Sequence, residues 1–190
     1  MKILAIHGSP RKEGNSEILL KEALKVIEAE GQEVIVIKAA TMKIAPCLNC
    51  DGCVETGQCI IKDDMDSVFD AIKEADRVLV VSPVFFFGVP AQLKALIDRC
   101  QALWCKKYLL KQPISDKKDR KGLLILVGGM ARERGFEASN ATVTAFFRTI
   151  DVPKHEFIYF KSIDAKGEVL KHPEALRATR EAAKRLIQVE

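Results

Sequence analysis

The sequence predicts a doubly wound α/β domain built on a five-stranded parallel sheet, and three observations carry that reading. Short apolar runs rich in β-branched residues alternate along the chain with longer stretches of helical period. The connections between successive runs have room for the crossover helices that parallel pairing demands. A loop bearing glycine and serine follows the first run directly, at the strand end where such sheets place their ligands.

The first strand is expected over residues 2–7, where Ile3, Leu4, Ala5 and Ile6 form an apolar run that Gly8-Ser9-Pro10 closes. A helix over 16–30 leads to a second strand at 33–38, whose Val34 to Ile37 are all β-branched. After a long polar segment come a helix at 66–75, a third strand at 77–82 and a helix at 90–105 that opens on a proline. The fourth strand is expected at 121–127, a helix at 137–150, the fifth strand at 156–160 and a closing helix at 173–189. Five such strands fit the flavodoxin-like order 2-1-3-4-5, in which ligands sit at the carboxyl ends of strands 1 and 3. That order singles out two loops, 8–16 and 83–89. No Pro/Gly/Ser-rich linker interrupts the 190 residues, so the chain reads as one domain, 1–190, with a Cys-rich loop inserted at about 43–63.

Composition narrows the class. At 48% hydrophobic and 29% charged residues, the chain can bury a sizeable core without disulfide staples. The net charge of +4 is scattered and forms no basic stripe, which argues against a nucleic-acid partner. The apolar run at the N-terminus is too short for a signal sequence and no 18-residue apolar span follows, so no membrane partner and a cytoplasmic location are expected. In that compartment the six cysteines are expected to be reduced thiols or metal ligands. Cys100 and Cys105 fall in a predicted helix and read as ordinary buried thiols.

The first loop reads Gly8-Ser9-Pro10-Arg11-Lys12-Glu13-Gly14-Asn15-Ser16. Its backbone N–H groups and the following helix start favour an anion, and Ser9, Arg11, Asn15 and Ser16 add donors suited to a phosphate monoester. Neither the dinucleotide-binding glycine fingerprint nor the P-loop is present, so a monophosphate fits better than a dinucleotide or a hydrolysable triphosphate. The competing reading is a helix cap and a glycine turn with no ligand. His7, at the strand end, reads as structural.

The second loop reads Pro83-Val84-Phe85-Phe86-Phe87-Gly88. Side chains alternate direction along a strand, so three consecutive phenylalanines cannot all enter the core, and at least one is expected to border the ligand crevice. Backbone amides here suit the heteroatom edge of a flat ring such as a flavin. A loop buried by a partner subunit is a compatible alternative.

Between these loops lie Cys47, Cys50, Cys53 and Cys59, spaced C-x₂-C-x₂-C-x₅-C. Compact spacing of this kind supplies iron-sulfur clusters, whereas structural zinc sites use two knuckles far apart in sequence. A [4Fe-4S] cluster, zinc and bare thiols are the three readings. A bound cluster is expected to supply most of the order of residues 43–63, which have little apolar content of their own.

The stretch from Ile6 to Ser16, the stretch from Ser82 through Pro83-Val84-Phe85-Phe86-Phe87-Gly88 to Arg99, and the cysteine cluster between them resemble the NAD(P)H-dependent FMN reductase superfamily. Within it the chain is most similar to the iron-sulfur flavoproteins, and Gly128-Gly129 and residues 164–168 extend the likeness over most of the chain. The resemblance implies that Ser9, Arg11, Asn15 and Ser16 hold the FMN phosphate. It also implies that Pro83 to Gly88, with Gly128 and Gly129, line the isoalloxazine and that the four motif cysteines bind the cluster. A position commonly Tyr or Trp in relatives is Phe here, so that ring-edge hydrogen bond is absent. The expected function is electron transfer between a reduced donor, FMN and the cluster, with a small-molecule or protein donor or acceptor, NAD(P)H among the donors, and a homodimer or homotetramer. The alternatives are a cluster-free NAD(P)H-dependent FMN or quinone reductase and a redox-sensing flavin module without turnover. No Ser/His/Asp constellation is present, and no side chain is nominated as catalytic.

Overall fold

The computed structural model describes residues 1–189. Five parallel strands, β1 (Lys2–His7), β2 (Glu33–Lys38), β3 (Arg77–Pro83), β4 (Lys121–Val127) and β5 (Lys154–Phe160), lie in the order β2-β1-β3-β4-β5. This is the order expected of a flavodoxin-like sheet. Ile3 pairs with both Val34 and Arg77, and Arg77 pairs in turn with Lys121, which sets β1 and β3 side by side at the sheet centre.

The two-residue period of the central strands sorts their side chains between two cores. Ile3, Ala5, Leu79, Val81, Leu123 and Ile125 face α1 (Asn15–Ala29) and α6 (Pro173–Ile187). Leu4, Ile6, Val78, Val80, Leu124 and Leu126 face α2 (Met65–Glu74), α3 (Ala91–Arg99) and α5 (Arg134–Thr149). Because both faces are covered, β1, β3 and β4 read as continuous apolar runs, as strands of a parallel sheet must. Among the described residues no helix is long and apolar enough to cross a membrane.

Three elements depart from the sequence pattern. The helix expected over 90–105 breaks after Arg99: a short turn, α4 (Gln101–Trp104), runs into a π-helical turn at Cys105–Leu109. The helix α5 starts earlier, because Gly135 and Phe136 already pack inside. The strand β5 begins at Lys154, which pairs with Lys121 at the start of β4.

Buried arginines tie the ends of these layers. Arg120 donates to the carbonyls of Ile72 and Ala75 at the end of α2 and of Ile150 at the end of α5. One cation thereby satisfies carbonyls that two helix termini leave open.

Candidate cofactor site and cysteine loop

The loops after β1 and β3 lie side by side at the carboxyl ends of adjacent strands. Gly8 continues the ladder through its N–H to Val81 O at 2.9 Å. A Cβ at Gly8 would come 2.6 Å from Leu93 Cδ2 and 2.7 Å from Ser82 Oγ, so only glycine lets the first loop pack this closely on β3 and α3. Gly14 stands at the N-cap of α1 and supplies no side-chain cap, which leaves the positive end of that helix open toward the loop.

The four side chains expected at a phosphate divide into two pairs. Ser9 is buried and its Oγ accepts from the Arg11 N–H at 3.1 Å, which leaves its own proton to donate. Arg11 is exposed. Ser16 lies 3.2 Å from His7 Nε2, with both groups buried. Asn15 is used inside the protein at both polar atoms: Nδ2 donates to Ala165 O at 2.9 Å and Oδ1 accepts from Val169 N at 3.1 Å. It bolts the start of α1 to residues 165–169. Burial lowers the His7 pKa, an effect that Glu17 opposes and Lys38 reinforces, so its imidazole is neutral at neutral pH. The Glu17 carboxylate accepts from the Glu13 N–H at 2.6 Å and pairs with Lys38 at 3.0 Å, and these two contacts hold its pKa below the ordinary value.

The second loop turns back on itself. Phe85 N–H donates to Gly88 O at 2.8 Å and Gly88 N–H donates to Phe85 O at 2.9 Å, with Phe86 and Phe87 at φ of 47° and 63° between them. This is the mirror-image two-residue turn that Asn and Gly usually build, here made of two phenylalanines in the left-handed region. None of the three phenylalanine rings enters the core: Phe85 is 46% exposed, Phe86 fully exposed and Phe87 54% exposed. Phe87 leans toward Gly135, where a Cβ would meet its ring at 2.8 Å. Gly128 donates to Phe160 O at 3.0 Å, and Gly129 sits where a Cβ would come 2.7 Å from Asp164 Cβ. Gly129 therefore allows close chain packing beside the loop, whereas a Cβ on Gly128 would meet only ordinary contacts, the nearest at 3.5 Å from Phe136.

The cysteine loop carries left-handed residues between its first three cysteines, Asn49 at φ 50° and Asp51 at φ 58°. Asn and Asp tolerate that region better than other side-chain-bearing residues. A Cβ on Gly52 would meet Ile60 Cγ2 at 2.6 Å, so a larger residue there would displace the exposed Ile60 side chain. Cys47, Cys53 and Cys59 are half-buried and Cys50 is exposed, and all four line one cavity of about 30 Å³ together with Arg99 and Cys105. Cys53 Sγ lies 3.6 Å from Cys105 Sγ, and burial together with that neighbour pushes the Cys53 thiol up to about 11. Among the described residues, no three His, Cys, Asp or Glu side chains are grouped so as to hold a metal ion. The donors nevertheless suit an iron-sulfur cluster in kind, since five thiols, the four of the motif and that of Cys105, and no histidine border the cavity.

The stem of this loop is held by protein contacts. Arg99, wholly buried, donates to Ala45 O and Ile61 O at 3.0 Å each and to both carboxylate oxygens of Asp63. Asp63 also accepts from Ala45 N and Met65 N, and Asp64 accepts from Lys43 N. Arg99 was not singled out in the sequence, although Leu93, Leu96 and Arg99 recur every three residues and so put a cation on the buried stripe of α3.

The doubly wound sheet in the order β2-β1-β3-β4-β5, with helices on both faces, defines a flavodoxin-like protein. The chain belongs to the NADPH-dependent FMN reductase family, a family of flavin-dependent oxidoreductases, whose model matches residues 1–164. An iron-sulfur flavoprotein of Archaeoglobus fulgidus is 33% identical over 195 residues, covering 98% of this chain and 96% of that one. An iron-sulfur flavoprotein of Methanocaldococcus jannaschii is 48% identical over 103 residues, 54% of this chain, and the chain spans about half the length of that relative, 53%. Among solved structures, the NAD(P)H:quinone oxidoreductase of Methanothermobacter marburgensis superposes with a TM-score of 0.75 at 16% identity, covering 100% of this chain and 98% of its own, a likeness of fold.

Proposed function

We propose that this protein is an FMN-dependent oxidoreductase that passes electrons between a reduced donor, FMN and a [4Fe-4S] cluster. One observation carries the reading: α3 begins at the Phe loop and ends at Arg99, the residue that clamps the cysteine loop. At 1.5 Å per residue the helix spans only ~12 Å from Ala91 to Arg99, so one rigid element fixes the separation of the two sites.

In this reading the start of α1, with Ser9 and Arg11, binds the FMN phosphate, and Pro83 to Gly88 receive the ring. Ser16 and Asn15 hold the loop in shape, through His7 and through residues 165–169. Cys47, Cys50, Cys53 and Cys59 are the cluster ligands. When bound, FMN exchanges two-electron for one-electron transfer and the cluster carries single electrons. The family description favours NAD(P)H as donor, and a cluster-free NAD(P)H-dependent reductase is the second reading. A homodimer or homotetramer is part of the proposal, since Phe85, Phe86, Phe87 and Trp104 are exposed apolar side chains. So is a cytoplasmic location, where thiols of this kind stay reduced.

The visible spectrum of anaerobically purified protein tests the proposal. Flavin bands over a broad absorbance that dithionite bleaches support it. Flavin bands alone, with turnover of NAD(P)H, support the second reading.

A further inference from the structure

We propose that Cys53 and Cys105 form a redox-active dithiol, which closes to a disulfide under oxidation and so withdraws Cys53 from the cysteine motif. The two sulfur atoms are 3.6 Å apart although 52 residues separate them in sequence. A disulfide needs about 2.05 Å, so side-chain rotation has only about 1.5 Å to close. Cys105 lies outside the C-x₂-C-x₂-C-x₅-C motif, and the proposed electron transfer gives it no task.

The surroundings hold the pair together. Cys105 opens the π-helical turn Cys105–Leu109, a helical form that recurs at functional sites. Gln101 Nε2 donates to Cys105 Sγ at 3.7 Å. Gly57 of the cysteine loop packs so tightly on the same turn that a Cβ would lie 2.8 Å from Lys106 Cβ. Cys105 is buried, whereas Cys53 is half-buried on the cavity wall, so an oxidant meets Cys53 first.

The chemistry balances with a low-molecular-weight disulfide as oxidant. Cys53, deprotonated by solvent base at mildly alkaline pH, attacks one sulfur of the oxidant, breaks its S–S bond and releases one thiol. Cys105 then attacks Cys53 Sγ, displaces the second thiol and forms the Cys53–Cys105 bond. The two protein thiols give up two electrons and two protons, and both end on the two thiols released. Cys53 is thereafter unable to bind iron. That consequence rests on the cluster reading above, while the dithiol itself does not.

Peptide mapping of the full chain tests the proposal. The iron-free protein is equilibrated with excess oxidised glutathione, alkylated and digested with trypsin without reduction. Tryptic peptides 44–62 and 100–106 are expected to be joined in the native protein and in Cys100→Ser, and separate in Cys105→Ser. Absence of the link in the native protein, its persistence in Cys105→Ser, or oxidation confined to 44–62 overturns the dithiol. Ferrous iron and sulfide are then offered to each sample. The oxidised native protein is expected to take up at least about tenfold less iron than the reduced protein, with dithiothreitol restoring uptake. Equal uptake overturns the competition for Cys53. Reduced protein that takes up no iron overturns the cluster reading instead, and the peptide map still decides the dithiol.

Discussion

The Arg99 guanidinium grips the Asp63 carboxylate at 2.7 and 3.2 Å, with Arg99 wholly buried at the end of α3 and Asp63 at the foot of the cysteine loop. Burial works against the Asp63 carboxylate, but the Arg99 bonds and the N–H groups of Ala45 and Met65 outweigh it and hold the carboxyl below its ordinary range. Because the same guanidinium also reaches Ala45 O and Ile61 O, one side chain gathers both strands of the stem. Removing Asp63 leaves a buried cation unpaired, so Asp63→Ala is expected to lower the unfolding free energy by about 3 kcal/mol in urea titrations. Limited proteolysis is expected to cut within 43–63 in that variant. A loss below about 1 kcal/mol would show that the ion pair does not organise the stem.

The phosphate loop separates binding from folding. Arg11 is exposed, so Arg11→Ala is expected to weaken FMN binding by about ten- to hundred-fold, the loss of one charge-assisted hydrogen bond, without changing stability. Asn15→Ala is expected to do the reverse first, costing about 1–3 kcal/mol of stability, because Ala165 O and Val169 N both lose their partner. Flavin fluorescence quenching and thermal unfolding of the two variants distinguish these effects. Equal FMN affinity in Arg11→Ala and the native protein contradicts the phosphate assignment.

The turn at Phe86 and Phe87 stores strain. A bulky residue in the left-handed region costs about 1–2 kcal/mol, and glycine there gives back part of it as chain entropy. Phe86→Gly is therefore expected to stabilise the FMN-free protein by roughly 0.5–1 kcal/mol, since the Phe86 ring is fully exposed and loses no packing. Weaker FMN binding by the same variant would mark the strain as belonging to the site. Calorimetry with and without FMN reads both quantities.

Much of the fold was legible because the apolar runs of a two-faced parallel sheet stand out from the helical stretches around them. The four motif cysteines stand out by their spacing and the two loops by their place in the strand order. What the sequence hid depends on contacts across long separations. Asn15 looks like a ligand donor until residues 165–169 are folded against it. Cys105 looks like a plain buried thiol until Cys53 arrives beside it. The contacts that order the stem of the cysteine loop without a cluster are hidden as well, because Ala45, Ile61 and Asp63 cannot be seen to meet Arg99 without the fold. The broken helix after Arg99 was hidden too, since the residues of α4 keep the same helical period.

Acid is expected to destabilise the protein partly through His7. Burial puts its folded pKa below the ordinary 6.5, so just below pH 6.5 the unfolded chain binds a proton that the folded chain does not. Stability is complete above that value and is lost as pH falls through the window and past the folded pKa. His155, also lowered by burial and then by Arg148, adds to the loss. The drop in Tm between pH 7 and pH 5 is expected to be smaller in His7→Asn than in the native protein. An equal drop assigns the acid sensitivity elsewhere.

The central claim is that FMN and a one-electron cluster reside on the same chain. Anaerobic reductive titration tests it most directly, with flavin, iron and acid-labile sulfide assayed on the same sample. Two electrons for FMN and one for the cluster predict an end point of about three electrons per chain, with roughly four iron atoms per flavin. An end point of about two electrons, with flavin present and iron absent from protein kept free of oxygen throughout, would contradict the account and leave the four motif cysteines as thiols.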